Sequence, residues 1–525
     1  MSKTSAMAAA LVAFSALAGS AGAQTLNLAV GAPVTSLDPH YHALSPNYAV
    51  ADMLFDSLTS FDARGRLIPR LAESWRPVSE DTWEFKLRPG VRFHNGSALT
   101  AEDVAFTVER VPTVPNSPST YGIYTRAIRS VEVVDPVTVR MRTDGPYPLL
   151  PTDLAQIEML DRETHSGAST DDFNSTKVAI GTGPFRVVSY RSGDRIEYAR
   201  NDEYFGDRPA WSRVNYRMIT NDAGRTAALL AGDVDFIDQV PTSDIERMRR
   251  EGRVQLSEAD GLRLIFLFLD HGREGSSPFV TGPDGQPLPR NPLKDLRVRQ
   301  ALSMAIDRPA ITGRVMEGAA APTGQFLSPG LYSFVPGLEP PAVDLDRARR
   351  LLAEAGYPQG FRITLHGPND RYMNDARIIQ AIGQMWTRIG VRTQVEAQPW
   401  AAYIARAGRH DYSAGLVGWG ISSAEATSPL RSLLATITPA RGWGGSNRGA
   451  YSNPALDAKL SEALRTLDDG QRERVLQDAT RMAVDDVGII PIHIQKNIWA
   501  MRRGLRHDAR ADELTRAQDV RPVAP

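Results

Sequence analysis

The stretch Leu87-Arg-Pro-Gly-Val-Arg-Phe-His-Asn-Gly-Ser-Ala-Leu-Thr-Ala-Glu-Asp-Val104 gathers a histidine, an asparagine and two adjacent acids into one short segment. It reads either as an active site or as scaffold that happens to be polar. Pro89-Gly90 and Asn95-Gly96 are turn dipeptides, favoured where the chain reverses. Val91 and Phe93 alternate between them, which puts His94 at a strand end. Thr100-Ala-Glu-Asp103 has the spacing of a capping box ahead of Val104 and Val108, and both acids fall in the first helical turn, where the helix dipole favours them. Turn, strand, turn and cap account for nearly every polar residue. The stretch is scaffold.

Working outward, Thr82–Leu87 alternates with Trp83, Phe85 and Leu87 on one face, the period of a half-buried strand. Strand–turn–strand patterns follow at Val131–Met141 around Asp135-Pro136 and at Pro184–Arg200 around Arg191-Ser-Gly-Asp194. Leu26–Val30 reads as a first short strand. The second half changes rhythm. Helices are predicted over 296–306, over 344–355 with Gly356 as its stop, over 376–389, and near 454–466 and 471–484. Strands are predicted at 361–365, 391–395, 414–418 and 489–494. This alternation builds an α/β lobe. The Pro/Gly-rich segment 276–292 separates the two regimes as an exposed loop.

The 525 residues carry a formal net charge of −1, so nothing points to nucleic acid or to an anionic membrane surface. Lys3, an apolar run over Ala6–Ala18 and the small residues Ala21-Gly22-Ala23 form the layout of a cleaved secretory signal, residues 1–23. No later stretch approaches the apolar length that spans a bilayer. The chain has no cysteine, which excludes disulfides, thiolate catalysis, cysteine zinc sites and a lipid anchor on cysteine. These features predict a soluble periplasmic protein.

Leu71-Ala-Glu-Ser-Trp75, Thr82 to Gly96 and Leu99-Thr-Ala-Glu-Asp-Val104 closely resemble the signature of the family 5 extracellular solute-binding proteins, the dipeptide-, oligopeptide- and nickel-binding components of ABC importers. Further matches follow in order: Ser36-Leu-Asp-Pro39, Gly181-Thr-Gly-Pro-Phe185, Asn201-Asp-Glu-Tyr-Phe-Gly206, Leu230–Asp235, Val298–Asp307, Leu352–Tyr357 and Tyr451-Ser-Asn-Pro454. The resemblance implies an α/β, two-lobed clamp of the type II periplasmic binding protein class, with an extra inserted subdomain. Lobe I is expected at 24–62, 177–271 and 495–525, the insert at 63–176, and lobe II at 272–494. The implied role is capture of a small solute, a peptide or peptide-like molecule, for a membrane permease with separate ATPase subunits. Opines, sugar derivatives and metal chelates are the alternative ligands. A monomer without cofactor is the family's default. A ligand-presenting sensor or chaperone and an exported hydrolase lie outside that class.

In such a clamp the ligand is engulfed between lobes that close about a hinge. The first candidate loop holds His40, Tyr41, His42, Asn47 and Tyr48. His40 and His42 read either as a metal pair or as imidazoles lining a loop, and no further ligand cluster completes a metal site. The second loop carries Trp419, Ser422, Ser423 and Glu425. Peptide-binding relatives place an aspartate shortly after the matching Gly-Trp, where it pairs with the ligand's ammonium. Here the position holds Ser422 or Ser423, so either Glu425 takes the role or the ligand has no ammonium there. The third site holds Arg371, whose guanidinium can fork onto a carboxylate, and Tyr372. The fourth is the glycine-rich loop with Arg441 and Trp443, which can cradle an anion. Catalytic residues are not assigned: the sequence has no His-Glu-x-x-His, Gly-x-Ser-x-Gly, Ser-x-x-Lys or phosphate-loop pattern.

Overall fold

A computed structural model describes residues 25–118, 120–421 and 423–523; the expected signal segment and Ser422 lie outside these. Two long antiparallel strands, Val254–Leu269 and Ile490–Arg502, form the spine of a 12-stranded sheet. Their first-lobe halves, Val254–Asp260 and Lys496–Arg502, pair with each other. Beyond them come Phe236–Ile237, then Thr25–Val30 and Arg213–Met218 in parallel, and finally the Phe185–Arg191 and Arg195–Arg200 hairpin. Their other halves serve a second set. Leu264–Leu269 pairs with Ile490–Ile494 and with Ala414–Gly420, beyond which lie Arg362–Pro368 and Arg392–Gln398.

The register slips where the two sets meet: Asp260 faces Lys496, but Leu264 already faces Ile494. Gly261-Leu262-Arg263 therefore bulge against Gln495. A Cβ on Gly261 would lie 2.6 Å from the Gln495 carbonyl oxygen, so only glycine fits the crossing. Each set has its own core. Leu26, Leu28, Phe55, Phe185, Val214 and Trp499 cluster on one side, and Leu267, Leu302, Ile378, Ile382, Trp386 and Leu416 on the other.

Helices of the second set follow the sequence pattern closely. Asp344 caps Leu345–Glu354 by accepting from the Arg347 N–H at 2.8 Å, and Gly356 takes φ 93° beyond its end. Asp375–Arg388 buries Ile378, Ile382 and Trp386, and the Trp386 indole donates to the Leu302 carbonyl at 3.0 Å, fastening it to Leu296–Met304. The segment 276–292 is more than an exposed loop. Val280 is buried, and Val280–Thr281 adds a short strand beside Arg362–Ile363.

The insert is a four-stranded antiparallel sheet, Ala72–Ser79, Thr82–Leu87, Thr138–Thr143 and Ile128–Asp135, covered by the helix Ala101–Arg110. Trp83, Phe85 and Leu87 are buried as their alternation predicts. Glu84 is buried too, held between Arg76 and Arg140 at 3.0 Å each. Within the polar stretch, Gly90 and Gly96 take φ 79° and 92°. Asp103 accepts from the Thr100 N–H at 2.8 Å and from the Arg162 N–H at 2.9 Å. His94 bonds Gly183 and Gly181 at 3.0 and 3.2 Å, and burial pushes its imidazole down to about 4. This histidine is a neutral strut between insert and first lobe.

Candidate ligand-binding cleft

A cavity of about 170 Å³ lies over the crossing, between the two halves of the sheet. Leu262 sets its floor: its N–H donates to the Ala511 carbonyl at 3.1 Å, and its own carbonyl accepts from Ile421 at 2.9 Å. One wall comes from the helix Ser45–Leu54, the segment 155–158 and the C-terminal residues 510–516; the other comes from 420–424. Most charged groups here are matched. Arg516 pairs with Asp52, Arg510 with Asp512 at 2.5 Å, and Arg263 with Glu513 at 3.7 Å.

A second chamber of about 290 Å³ shares Arg263 and Gly420 with the first. Its walls include Phe266, Tyr372, Trp400 and Trp419, with Arg263, Arg371 and Arg448 as its charged residues and no carboxylate. Asp375, at the start of its helix, accepts from the N–H groups of Arg371 and Tyr372 at 3.0 Å each and so fixes the loop. The exposed Arg371 guanidinium sits 5.4 Å over the Trp400 ring and 5.5 Å over Tyr372, while the Tyr372 hydroxyl donates to the Gly418 carbonyl at 3.2 Å. Burial pushes the Arg448 guanidinium down from its ordinary value. A chamber lined by three guanidinium groups, Arg263 among them paired with Glu513, and by aromatic walls can hold an anion with an apolar body.

The sequence candidates divide accordingly. Tyr48 lines the cleft, its hydroxyl 3.3 Å from that of Tyr124. Arg371, Tyr372 and Trp419 line the chamber, with the Trp419 indole on Ser428 at 3.0 Å. The others face elsewhere. His40 is fully buried, bonded to Arg110 and the Glu158 carbonyl at 3.0 and 2.9 Å, and burial with the Arg110 charge pushes it down to about 3. His42 bonds Thr35 at 3.0 Å, and Asn47 is buried against the same threonine. Tyr41 lines a separate outer hollow beside Arg110. Among the described residues no three metal-ligating side chains converge.

Ser423 has a buried, unpartnered hydroxyl. Glu425 is buried and ion-paired with Arg472, so its charge is already neutralised inside the second lobe. Arg441 stacks on Trp443 at 3.6 Å and donates to Ser461, while Trp443 is buried in the core. Neither lines the cleft or the chamber; the same loop contributes Arg448 instead. Sequence reasoning missed Arg263, Glu158 and the C-terminal segment 510–516. Arg448, closing a loop already singled out, was the one with a usable signal.

Fold and cleft define a two-lobed binding protein of the type II periplasmic class. Residues 66–438 match the model of the bacterial extracellular solute-binding proteins, family 5, and the chain belongs to that family, the substrate-binding components of ABC importers. Heme-binding protein A of Haemophilus influenzae is 30% identical over 461 residues, covering 81% of this chain and 78% of that protein. A glutathione-binding protein of Pectobacterium atrosepticum is 28% identical, covering 86% and 85%. Among solved structures, HbpA2 from Haemophilus parasuis superposes with a TM-score of 0.82 at 23% identity, over 95% of this chain and all of that one.

Proposed function

We propose that the protein works in the periplasm as a monomer, after cleavage behind Ala23, and captures a carboxylate-bearing, peptide-like solute for its permease. The observation that carries this reading is the chamber opening beside the interlobe cavity: Arg371 and Arg448 line it with no ion-pair partner among the described residues, and Arg263 joins them while paired with Glu513. A ligand carboxylate there meets planar guanidinium forks, and the aromatic walls take its apolar part. The relatives named for haem and for glutathione support the reading, because both of those molecules carry carboxylates. Ligand touching both lobes stabilises the closed clamp by its differential affinity for that state, and the bulge at Gly261–Arg263, where the two halves of the sheet meet, is the place for its hinge.

Calorimetric titration of the mature protein with reduced glutathione tests this. Arg371→Met and Arg448→Met are each expected to weaken binding roughly 10- to 100-fold, the worth of a hydrogen-bonded charge contact, without lowering the melting temperature of the free protein. Unchanged affinity in the double variant would overturn the reading.

A further inference from the structure

Four carboxyl side chains line the interlobe cavity: Asp52, Glu158, Asp512 and Glu513. Three are answered by Arg516, Arg510 and Arg263. Glu158 is not. It is 6% exposed, its Oε2 has no hydrogen-bond partner, and among the described residues no cation forms an ion pair with it. Its backbone is nevertheless firmly held. Its carbonyl accepts from His40, it bridges Ser57, and the flanking Ile157 and Met159 are fully buried. A buried polar group without a partner costs free energy, and this one is held rigidly at a ligand cavity.

We infer that Glu158 is the acceptor for a cationic group of the ligand, an ammonium or guanidinium entering the interlobe cavity while the ligand's carboxylate occupies the arginine chamber. The inference rests on the peptide-like ligand proposed above. It assigns to the first lobe the cation-binding role that Glu425, committed to Arg472, does not fill. The ligand is then dipolar, and the spacing of its two charges is what the cleft measures.

The groups facing Glu158 fix the proton balance. Burial, reinforced by Asp52 and Asp56, pushes its carboxyl well above the usual range, while Arg70 and Arg516 pull the other way. The Tyr121 phenol and the neutral His40 complete the surroundings. Burial thus favours the protonated carboxyl in the free protein. A ligand cation favours the carboxylate, so binding expels that proton to solvent while the ligand keeps its own. Affinity for a cationic ligand consequently rises with pH until Glu158 ionises in the free protein.

The test is a set of short peptides, reduced glutathione included, each with a free and with an acetylated amino group, titrated calorimetrically in buffers of different ionisation enthalpy. For wild type, the free-amine members are expected to bind at least 10-fold more tightly than their acetylated partners and to release protons. Glu158→Gln should abolish both differences, and Glu158→Asp should retain them in part; melting of each unliganded variant verifies its fold. Equal binding of free and acetylated forms by wild type, or undiminished preference in Glu158→Gln, overturns the inference and leaves the proposed function standing. If no member of either set binds, the peptide-like ligand class falls and this inference falls with it.

Discussion

The polar stretch Leu87–Val104 and the polar rim of the cleft look alike as sequence and differ in one physical respect. In the stretch, side chains that matter are answered from within the protein: His94 by Gly181 and Gly183, Asn95 by Asp161, Asp103 by Thr100 and Arg162. In the cleft, Arg371 and Arg448 gather in a chamber lined by no carboxylate, and Glu158 forms no ion pair among the described residues, its Oε2 lacking a hydrogen-bond partner. Polar groups satisfied at home build structure, and those left wanting at a cavity are the ones a ligand can answer. Glu425 reads in sequence as the second kind, but its ion pair with Arg472 answers its charge, with only Oε1 left without a hydrogen-bond partner.

That assignment yields the largest expected effect. The side chains of Arg472 and Glu425 are 5% and 4% exposed, so Arg472→Met leaves a buried carboxylate without its counter-charge. The expected loss is about 3–5 kcal/mol of unfolding free energy, measured in urea, with recovery when Glu425→Leu is added. A loss below about 1 kcal/mol, the range of exposed pairs, would mean that Glu425 finds water or turns to the cleft. The amine-binding role considered for it would then be open again.

Partnerless polar groups far from the cleft sharpen the comparison. His493, in the spine strand, is fully buried and neither ring nitrogen has a partner. Burial alone pushes it down from 6.5 to about 3. Below pH 6.5 the unfolded chain binds a proton here that the folded chain refuses. Stability is therefore complete above that pH and falls as the solution is acidified towards pH 3. His493→Leu is expected to reduce this acid slope by about 1.4 kcal/mol per pH unit, read from melting temperatures between pH 6 and 4. An unchanged slope would mean that the imidazole is already protonated in the fold.

Much of the scaffold was legible because it depends on local period and on caps. The stripe Ile378, Ile382, Met385 and Ile389 located a helix that the structure bounds at Asp375–Arg388, and Asp344 announced its own. The spine strand Val254–Leu269 was not recognised. It begins with loose alternation, passes through Asp260-Gly261, which reads as a turn, and ends in the unbroken apolar run Leu264–Leu269. That turn signal is the bulge at the crossing, inside the strand and ahead of the expected lobe boundary at 271/272. The cleft was legible in part: Arg371 and Trp419, picked out by residue type, line the chamber. It was illegible where the deciding fact is the presence of a partner, because partners come from far along the chain. Asp52 meets Arg516, and Phe61 receives Arg510, across almost the whole sequence. No local pattern marks Glu158 as the acid left over.

The smallest expected effect returns to the opening stretch. Asp103→Ala removes the acceptor for the Thr100 and Arg162 N–H groups. The cost is about 1–2 kcal/mol, that of a lost helix cap with one further donor left unsatisfied. Because the helix Ala101–Arg110 packs on the insert's own sheet, that loss should appear as a lower urea midpoint with unchanged affinity for any ligand. Arg371→Met should do the reverse, leaving the midpoint in place and weakening binding. If Asp103→Ala instead weakened binding at an unchanged midpoint, the insert would be coupled to the cleft, and polar partnership would no longer separate scaffold from site.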